Sequence, residues 1–332
     1  MDKYIQEYKY GGSEPRVFYV ARWYKQWPAA GEFGYAYAKW GTVAVVPFPL
    51  MNVKSAACRE TYEALIDCFE PGLIHLGPTY YGDAYISYDF LRKFKGKIVA
   101  NHAEVGFQGR HMKTFTELPS IVDMVYVCSP TLERELKEIT GCTNIRYMPT
   151  GTNPEFYYPI DGVDRQIDLL FLGHCGGSKR VRDEVVVKLD RQFDSLWVAG
   201  VGWEPHNLRH RFGGAYKHAL NEWYSRTKIG LCLLLDAHTR LEEFCTYRLL
   251  NIMATRTFAL TTYVPGLEKL FTRKVHLDWY TSYEELVDLI HYWLSHDEER
   301  EWVARQGYEL ILEKFTLQQR ARQVLRDVGL MP

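Results

Sequence analysis

Cysteine is present but never paired. Cys58, Cys68, Cys128, Cys142, Cys175, Cys232 and Cys245 include no Cys-x-x-Cys spacing, which argues against a zinc knuckle or a dithiol redox motif. An odd, scattered set fits buried thiols in a reducing compartment. An excess of one sign of charge is also missing. The formal net charge of −1 gives no global pull towards nucleic acid or an anionic membrane. No apolar run approaches the ~18 residues of a membrane span. The opening MDKYIQEYKYGGSEPR has no apolar middle of the secretory kind, so the expected location is cytoplasmic. There is no G-x-G-x-x-G and no Walker loop, and GVGW after SLWVA is only a partial G-x-G, so NAD and ATP readings carry little weight. No repeat of fixed solenoid period is found.

What is present reads as a globular chain of 332 residues, 47% hydrophobic and 24% charged, comfortable for two domains. After a polar arm come short runs rich in β-branched and aromatic residues: RVFYVAR (16–22), TVAVVPF (42–48), LIHLGPTY (73–80), KIVANHAE (97–104) and DMVYVCS (123–129). Helical segments separate them, among them SAACRETYEALIDCF (55–69) and TLERELKEITG (131–141), which ends at Gly. The pattern breaks into Pro, Gly and Asn over 144–159, an interdomain crossing. A second alternation follows: DLLFLG (168–173), SLWVAGVGW (195–203), KIGLCLLL (228–235), RTFALTT (256–262) and KVHLDW (274–279), then three closing helices. Strands alternating with helices imply an α/β fold with parallel sheets covered on both faces. The expected division is 1–150, 151–315, and a last helix at 316–332 that crosses back to the first domain.

In open parallel sheets ligands bind beyond the carboxyl ends of the strands. The loop after DLLFLG joins Gly173, Gly176 and Gly177 to Lys179, Arg180 and Arg182, and the next helix adds unpaired amides, so it is a candidate anion site. The plain alternative is a tight turn with solvated cations. TTYVPGLEKLF (261–271) offers a second strand-to-helix turn around Val264, Gly266 and Leu267, with Pro265 in the first helical turn. In EFCTYRLLN (243–251), Thr246 is the expected N-cap of a helix beginning near Tyr247. Leu249, Leu250, Ile252 and Met253 form its buried side, while Arg248, Asn251 and Thr255 share the other edge and Glu243 sits before it. Spacing alone leaves a ligand grip and a solvated helix face equally open.

RLLNIMATRTFALTTYVPGLEKLF and YEELVDLIHYWLSHDEEREWVARQGYELILEKFT, preceded in order by DLLFLGHCGGSKRVRDEV, WVAGVGW and LNEWYSRTKIGLCL, resemble the C-terminal domain of CgeB-like transferases. These are similar to the broad group-1 glycosyltransferase family. The resemblance covers roughly residues 145–325. It implies a GT-B fold, two Rossmann-like domains facing across a cleft, with a nucleoside-diphosphate sugar as co-substrate, UDP-sugar foremost, and no metal. It places Gly173–Arg180 and Val264–Leu267 around the donor diphosphate, with Arg248, Thr246 and Tyr247 in the donor segment. Related transferases carry two Glu eight positions apart there. Glu243 matches the first, and Asn251 stands for the second, the one that holds the donor ribose.

For the acceptor side, His102 and Glu104 follow a strand and are candidates for acid-base work, although a strand-end His is often bonded to backbone. The GEFG stretch, read as a turn, offers Glu32 and Gly34 as acceptor-site lining. The function these readings support is transfer of a sugar to a hydroxyl of a glycan, a small molecule, a cell-surface molecule or a hydroxymethylated base in duplex DNA. The basic runs RKFKGK (92–97) and RHRFGGAYKH (209–218) permit the DNA acceptor. The alternative is a non-catalytic module, derived from a transferase, that binds a nucleotide sugar or glycan.

Overall fold

The computed structural model describes residues 6–9, 14–21, 29–47, 56–77, 86–102, 117–175, 180–213 and 218–332. They form two compact units: Met1–Pro149 together with Leu317–Pro332, and Thr150–Thr316.

Unit 1 holds a seven-stranded sheet: β1 (Gln6–Lys9), β2 (Arg16–Ala21), β3 (Thr42–Pro47), β4 (Leu73–Leu76), β5 (Lys97–His102), β6 (Met124–Val127) and β7 (Ile145–Tyr147). The order is β1-β3-β2-β4-β5-β6-β7, parallel except for β1, which runs antiparallel to β3. The sequence reading put β1 inside a polar arm. QEYK has no apolar face of its own, and backbone pairing with Thr42–Val45 makes it an edge strand. The central β2 is buried from Val17 to Val20, as expected for a strand covered on both faces. The helix Pro130–Thr140 shows how local sequence sets a boundary. The Ser129 hydroxyl accepts the Thr131 N–H at 3.1 Å, Pro130 opens the first turn, and Gly141 closes it at φ 69°. The last helix, Leu317–Asp327, packs Leu317, Ala321, Val324 and Leu325 into the unit 1 core. Its Asp327 accepts the Tyr126 hydroxyl at 2.9 Å and pairs with Arg146 at 2.6 Å.

GEFG is not a turn. It lies within the helix Ala29–Ala36, where Glu32 is 1% exposed. A Cβ on Gly34 would stand 2.6 Å from the Tyr19 ring, so this glycine permits the helix to lie close on β2. Beneath this helix, His75 of β4 is wholly buried, with Nδ1 2.6 Å from the Tyr37 hydroxyl and the Tyr19 and Phe33 rings at 4.9 and 4.8 Å. Burial, outweighing a side-chain contact from Asn101, pushes its pKa down to about 3.

Unit 2 holds six parallel strands: β8 (Ile167–Leu172), β9 (Leu196–Ala199), β10 (His210–Phe212), β11 (Thr227–Cys232), β12 (Phe258–Thr262) and β13 (Asp278–Tyr280). Their order, β10-β9-β8-β11-β12-β13, reverses direction between β8 and β11. That reversal is the switch point at which open α/β sheets take ligands. KVHLDW is strand only at its end. Lys274 adopts φ 61° and bonds back to the Leu277 carbonyl, so 274–277 form a turn before β13. There Asp278, fully buried, accepts Arg273 Nε at 2.6 Å, its neighbour's amide at 2.8 Å and Trp293 Nε1 at 2.9 Å. The indole of Trp293 is itself wholly buried against Phe258, so its N–H has no water to fall back on.

Two stability outcomes follow from these buried groups. Asp278→Ala strands the buried Trp293 N–H and leaves Arg273 with Glu285 as its remaining carboxylate, and urea unfolding is expected to show a loss of about 2 kcal/mol. His75 is neutral when folded, whereas the unfolded chain binds its proton near the ordinary imidazole value. Stability contributed by this site is therefore complete above pH about 6.5 and is lost as pH falls towards about 3. Denaturation midpoints taken across that interval should fall steadily, and less steeply in His75→Gln.

Candidate donor site in unit 2

The backbone beyond β8 is held rather than loose. Gly173 N–H bonds the Ala199 carbonyl at 2.8 Å and Cys175 N–H bonds the Val201 carbonyl at 2.9 Å, so pairing with β9 continues past both strand ends. The Gly173 carbonyl accepts Trp203 Nε1 at 2.7 Å, and His174 Nδ1 accepts the Val201 N–H at 3.1 Å. The two segments approach so closely that a Cβ on Gly200 would lie 2.2 Å from the Gly173 oxygen, and Gly200 adopts φ 138°. The partial G-x-G of GVGW is thus a device for backbone approach.

Phe171, on β8 and fully buried, carries a guanidinium on either neighbouring helix: Arg182 at 5.4 Å from the ring centre and Arg248 at 5.1 Å. Arg182, 5% exposed, donates to the His174 carbonyl and lies 3.3 Å from Asp183. Its Nε is buried without a hydrogen-bond partner among the described residues. Burial and then the charge of Arg248 lower its pKa. Arg248 donates to the Leu233 carbonyl at 3.2 Å, next to Gly173, and meets no carboxylate among the described residues. Two cations thus share the switch point, and among the described residues the acid beside them is Asp183, next to Arg182. His238, in the turn after β11, feels both: burial first, then Arg248 and Arg182, push its pKa down to about 4.

The EFCTYRLLN stretch folds largely as its spacing predicts. Thr246 caps the helix Tyr247–Ala254, its hydroxyl accepting the Leu249 N–H at 3.2 Å. Glu243, at φ 51°, bonds its N–H to the Pro265 carbonyl and lies against Gly266, which brings the two predicted donor segments together. Its carboxylate is paired with Lys269 at 2.9 Å. Val264 and Leu267 are buried, so this turn can offer backbone but not those side chains. Pro265 stands before the N-cap Gly266, outside the four-residue helix Leu267–Leu270.

One expectation is overturned. Asn251 and Thr255 do not share an open edge with Arg248. Asn251 is 7% exposed and accepts the Thr152 hydroxyl at 2.7 Å, and Thr255 is buried against Thr257. A hundred-degree step per residue allows Arg248 to face out while its i+3 partner turns in, wherever another segment covers the flank. Arg180 begins the helix Arg180–Gln192 and His102 ends β5. Gly176, Gly177, Lys179 and Glu104 lie outside the described residues. Sequence reading noted Arg182 only as loop charge and missed His238 altogether. A basic residue two positions into the first turn after the glycine loop was the available signal for the former.

A family model described as glycosyl transferase-like matches residues 182–326. No curated protein matches the chain by sequence. Among solved structures, sucrose-phosphate synthase from Thermosynechococcus elongatus superposes with TM-score 0.68 at 15% identity, covering 95% of this chain and 99% of the other. A glycosyltransferase from Rickettsia africae gives 0.66 at 12% identity, with 94% and 97% covered. Anabaena HepE, in complex with UDP and glucose, gives 0.66 at 9% identity, with 95% and 100% covered.

The close strand-end approach gives a direct test. Gly200→Ala puts a side chain against the Gly173 carbonyl in a backbone region that L-residues avoid, so a loss of about 2 kcal/mol or more is expected in chemical denaturation. The chain thus has the two-domain, Rossmann-like GT-B fold of these structures, and residues 182–326 are similar to the glycosyl transferase-like family.

Proposed function

We propose that unit 2 binds a nucleoside-diphosphate sugar, UDP-sugar foremost, with its diphosphate at the ends of β8 and β11, and that the protein passes the sugar to an acceptor hydroxyl. The observation that carries this reading is the Arg182–Arg248 pair. Two guanidiniums gathered over one buried ring with one neighbouring acid repel each other, and a diphosphate relieves that repulsion through bidentate, charge-assisted bonds. In the transfer, the bond from the sugar C1 to the diphosphate oxygen breaks and its electron pair stays on that oxygen. A bond from C1 to the acceptor oxygen forms, and the acceptor proton is released. Fixed guanidiniums aimed at the leaving oxygen stabilise the charge as it grows, the part a divalent cation plays in other sites. The HepE complex with UDP and glucose supports a UDP-sugar in this fold.

For the acceptor we favour a carbohydrate or small-molecule hydroxyl over duplex DNA. Four cations of the basic runs that permitted DNA already have acidic partners: Arg92 pairs with Asp89, Lys97 with Asp123, Arg209 with Asp194 and Arg211 with Glu204. Phosphate backbones are captured by cations that are free to release counterions.

A thermal-shift panel of UDP-, GDP-, ADP- and TDP-sugars tests the reading, since a true donor stabilises the folded state by mass action. Arg248→Ala and Arg182→Ala are each expected to weaken the best donor by about tenfold to a hundredfold, the loss of a charge-assisted bond. Undiminished shifts in both variants, or none with any donor in the wild type, would overturn it. Binding without nucleotide release in the presence of acceptors would identify a binding module instead.

A further inference from the structure

His238 lies in the short turn Asp236–Thr239 that follows β11, its ring packed on Phe244 at 4.9 Å. Its Nδ1 accepts the Leu235 N–H at 3.3 Å. An imidazole that accepts at Nδ1 carries its proton at Nε2, so that bond selects the tautomer. Nε2 makes no hydrogen bond among the described residues. The charges that reach the ring come from two other elements: Arg248 on the helix Tyr247–Ala254 and Arg182 on the helix Arg180–Gln192. On its own segment, Asp236 and Arg240 are exposed.

Arg248 bonds the Leu233 carbonyl and the ring accepts the Leu235 N–H two residues on, so the imidazole sits on the same strand end as that guanidinium, with an N–H donor that no described residue uses. We propose that His238 is the third hydrogen-bond donor to the diphosphate, and that its proton count changes when the anion arrives. This rests on the donor reading above and extends it to a residue that the sequence pattern did not single out.

The electrostatics supply the coupling. In the free protein, burial and the guanidiniums hold the imidazole neutral, with a pKa of about 4. Burial, the larger cause, remains in the complex, but a diphosphate between these groups offsets the repulsion from Arg248 and Arg182 and attracts the second proton itself, so the imidazole becomes easier to protonate. By linkage, binding then takes up a proton at pH values between the free and bound pKa, and affinity rises as pH falls through the bound one. A neutral donor that turns cationic only around the anion adds strength to the complex without adding repulsion to the empty site.

Calorimetric titration of the full chain with UDP-glucose, at about pH 6 in two buffers of different ionisation enthalpy, tests this. UDP-glucose is the probe because a diphosphate esterified at both ends does not itself titrate near neutrality. The expected result is net proton uptake, with affinity about threefold or more tighter at about pH 6 than at about pH 7.5. His238→Gln keeps an N–H donor that does not titrate, so it should bind with no uptake and a flat pH profile. Uptake that persists unchanged in His238→Gln, or bound UDP-glucose with no uptake in the wild type, would overturn the proposal. Ring NMR of His238 in the wild-type protein gives the same answer without a substitution: its titration midpoint should rise when UDP-glucose binds, and an unmoved midpoint refutes the coupling. Where the panel of donors favours another nucleotide sugar, that sugar replaces UDP-glucose in the titration; if no donor binds the wild type, the donor reading falls and takes this inference with it.

Discussion

Two like charges held close together in a half-dry place are the constraint on which the candidate site turns. Arg182 and Arg248 come from helices far apart in sequence, yet both rest on the ring of Phe171 at the point where the strand order reverses. Neither helix would choose this arrangement for its own stability. Burial disfavours the charge of Arg182, and its neighbour's charge disfavours it further. Folding tolerates the repulsion because backbone carbonyls at His174 and Leu233 and the Asp183 carboxylate take part of it up. What remains uncompensated is positive charge, on which the proposed donor reading rests.

The surrounding backbone makes that affinity directional. Past the ends of β8 and β9 the chain keeps its pairing, Trp203 clasps the Gly173 carbonyl, and Gly200 and Gly202 permit an approach that any side chain would prevent. A site whose dipoles and charges are already in place pays little reorganisation when charge develops on a leaving group. The short span from Glu243 to Gly266 works in the same way, binding two strand-end turns to each other through one N–H to carbonyl bond and a tight contact.

The two units each hold an imidazole well away from its ordinary pKa, for different reasons. His75 is neutral because it is sealed among aromatic rings, an arrangement that belongs to packing and to stability. His238 is neutral because it is largely buried and also feels two cations. The first responds to solvent pH only by unfolding. The second carries a cationic contribution that, in the proposal above, a bound anion would offset.

Alternation of short β-branched runs with amphipathic helices determined both parallel sheets. Thr246 and Gly141 marked helix ends correctly because capping is local to a few residues, whereas Ser129, read as the end of a strand, proved to cap the helix that follows. The Arg of EFCTYRLLN was legible as a candidate for a related reason, its position in the first turn of a helix after a strand, whereas the glycines of GVGW, read only as a partial G-x-G, gained their role from the approach of Gly173 and Cys175. Tertiary structure alone decided the rest. It turned Asn251 inward to Thr152, made a helix of GEFG under Tyr19, and drew the opening polar residues into an edge strand. It also set Arg182, Arg248 and His238 within one another's fields. Such pairings depend on the register of segments tens of residues apart, and no periodicity within a segment encodes that distance.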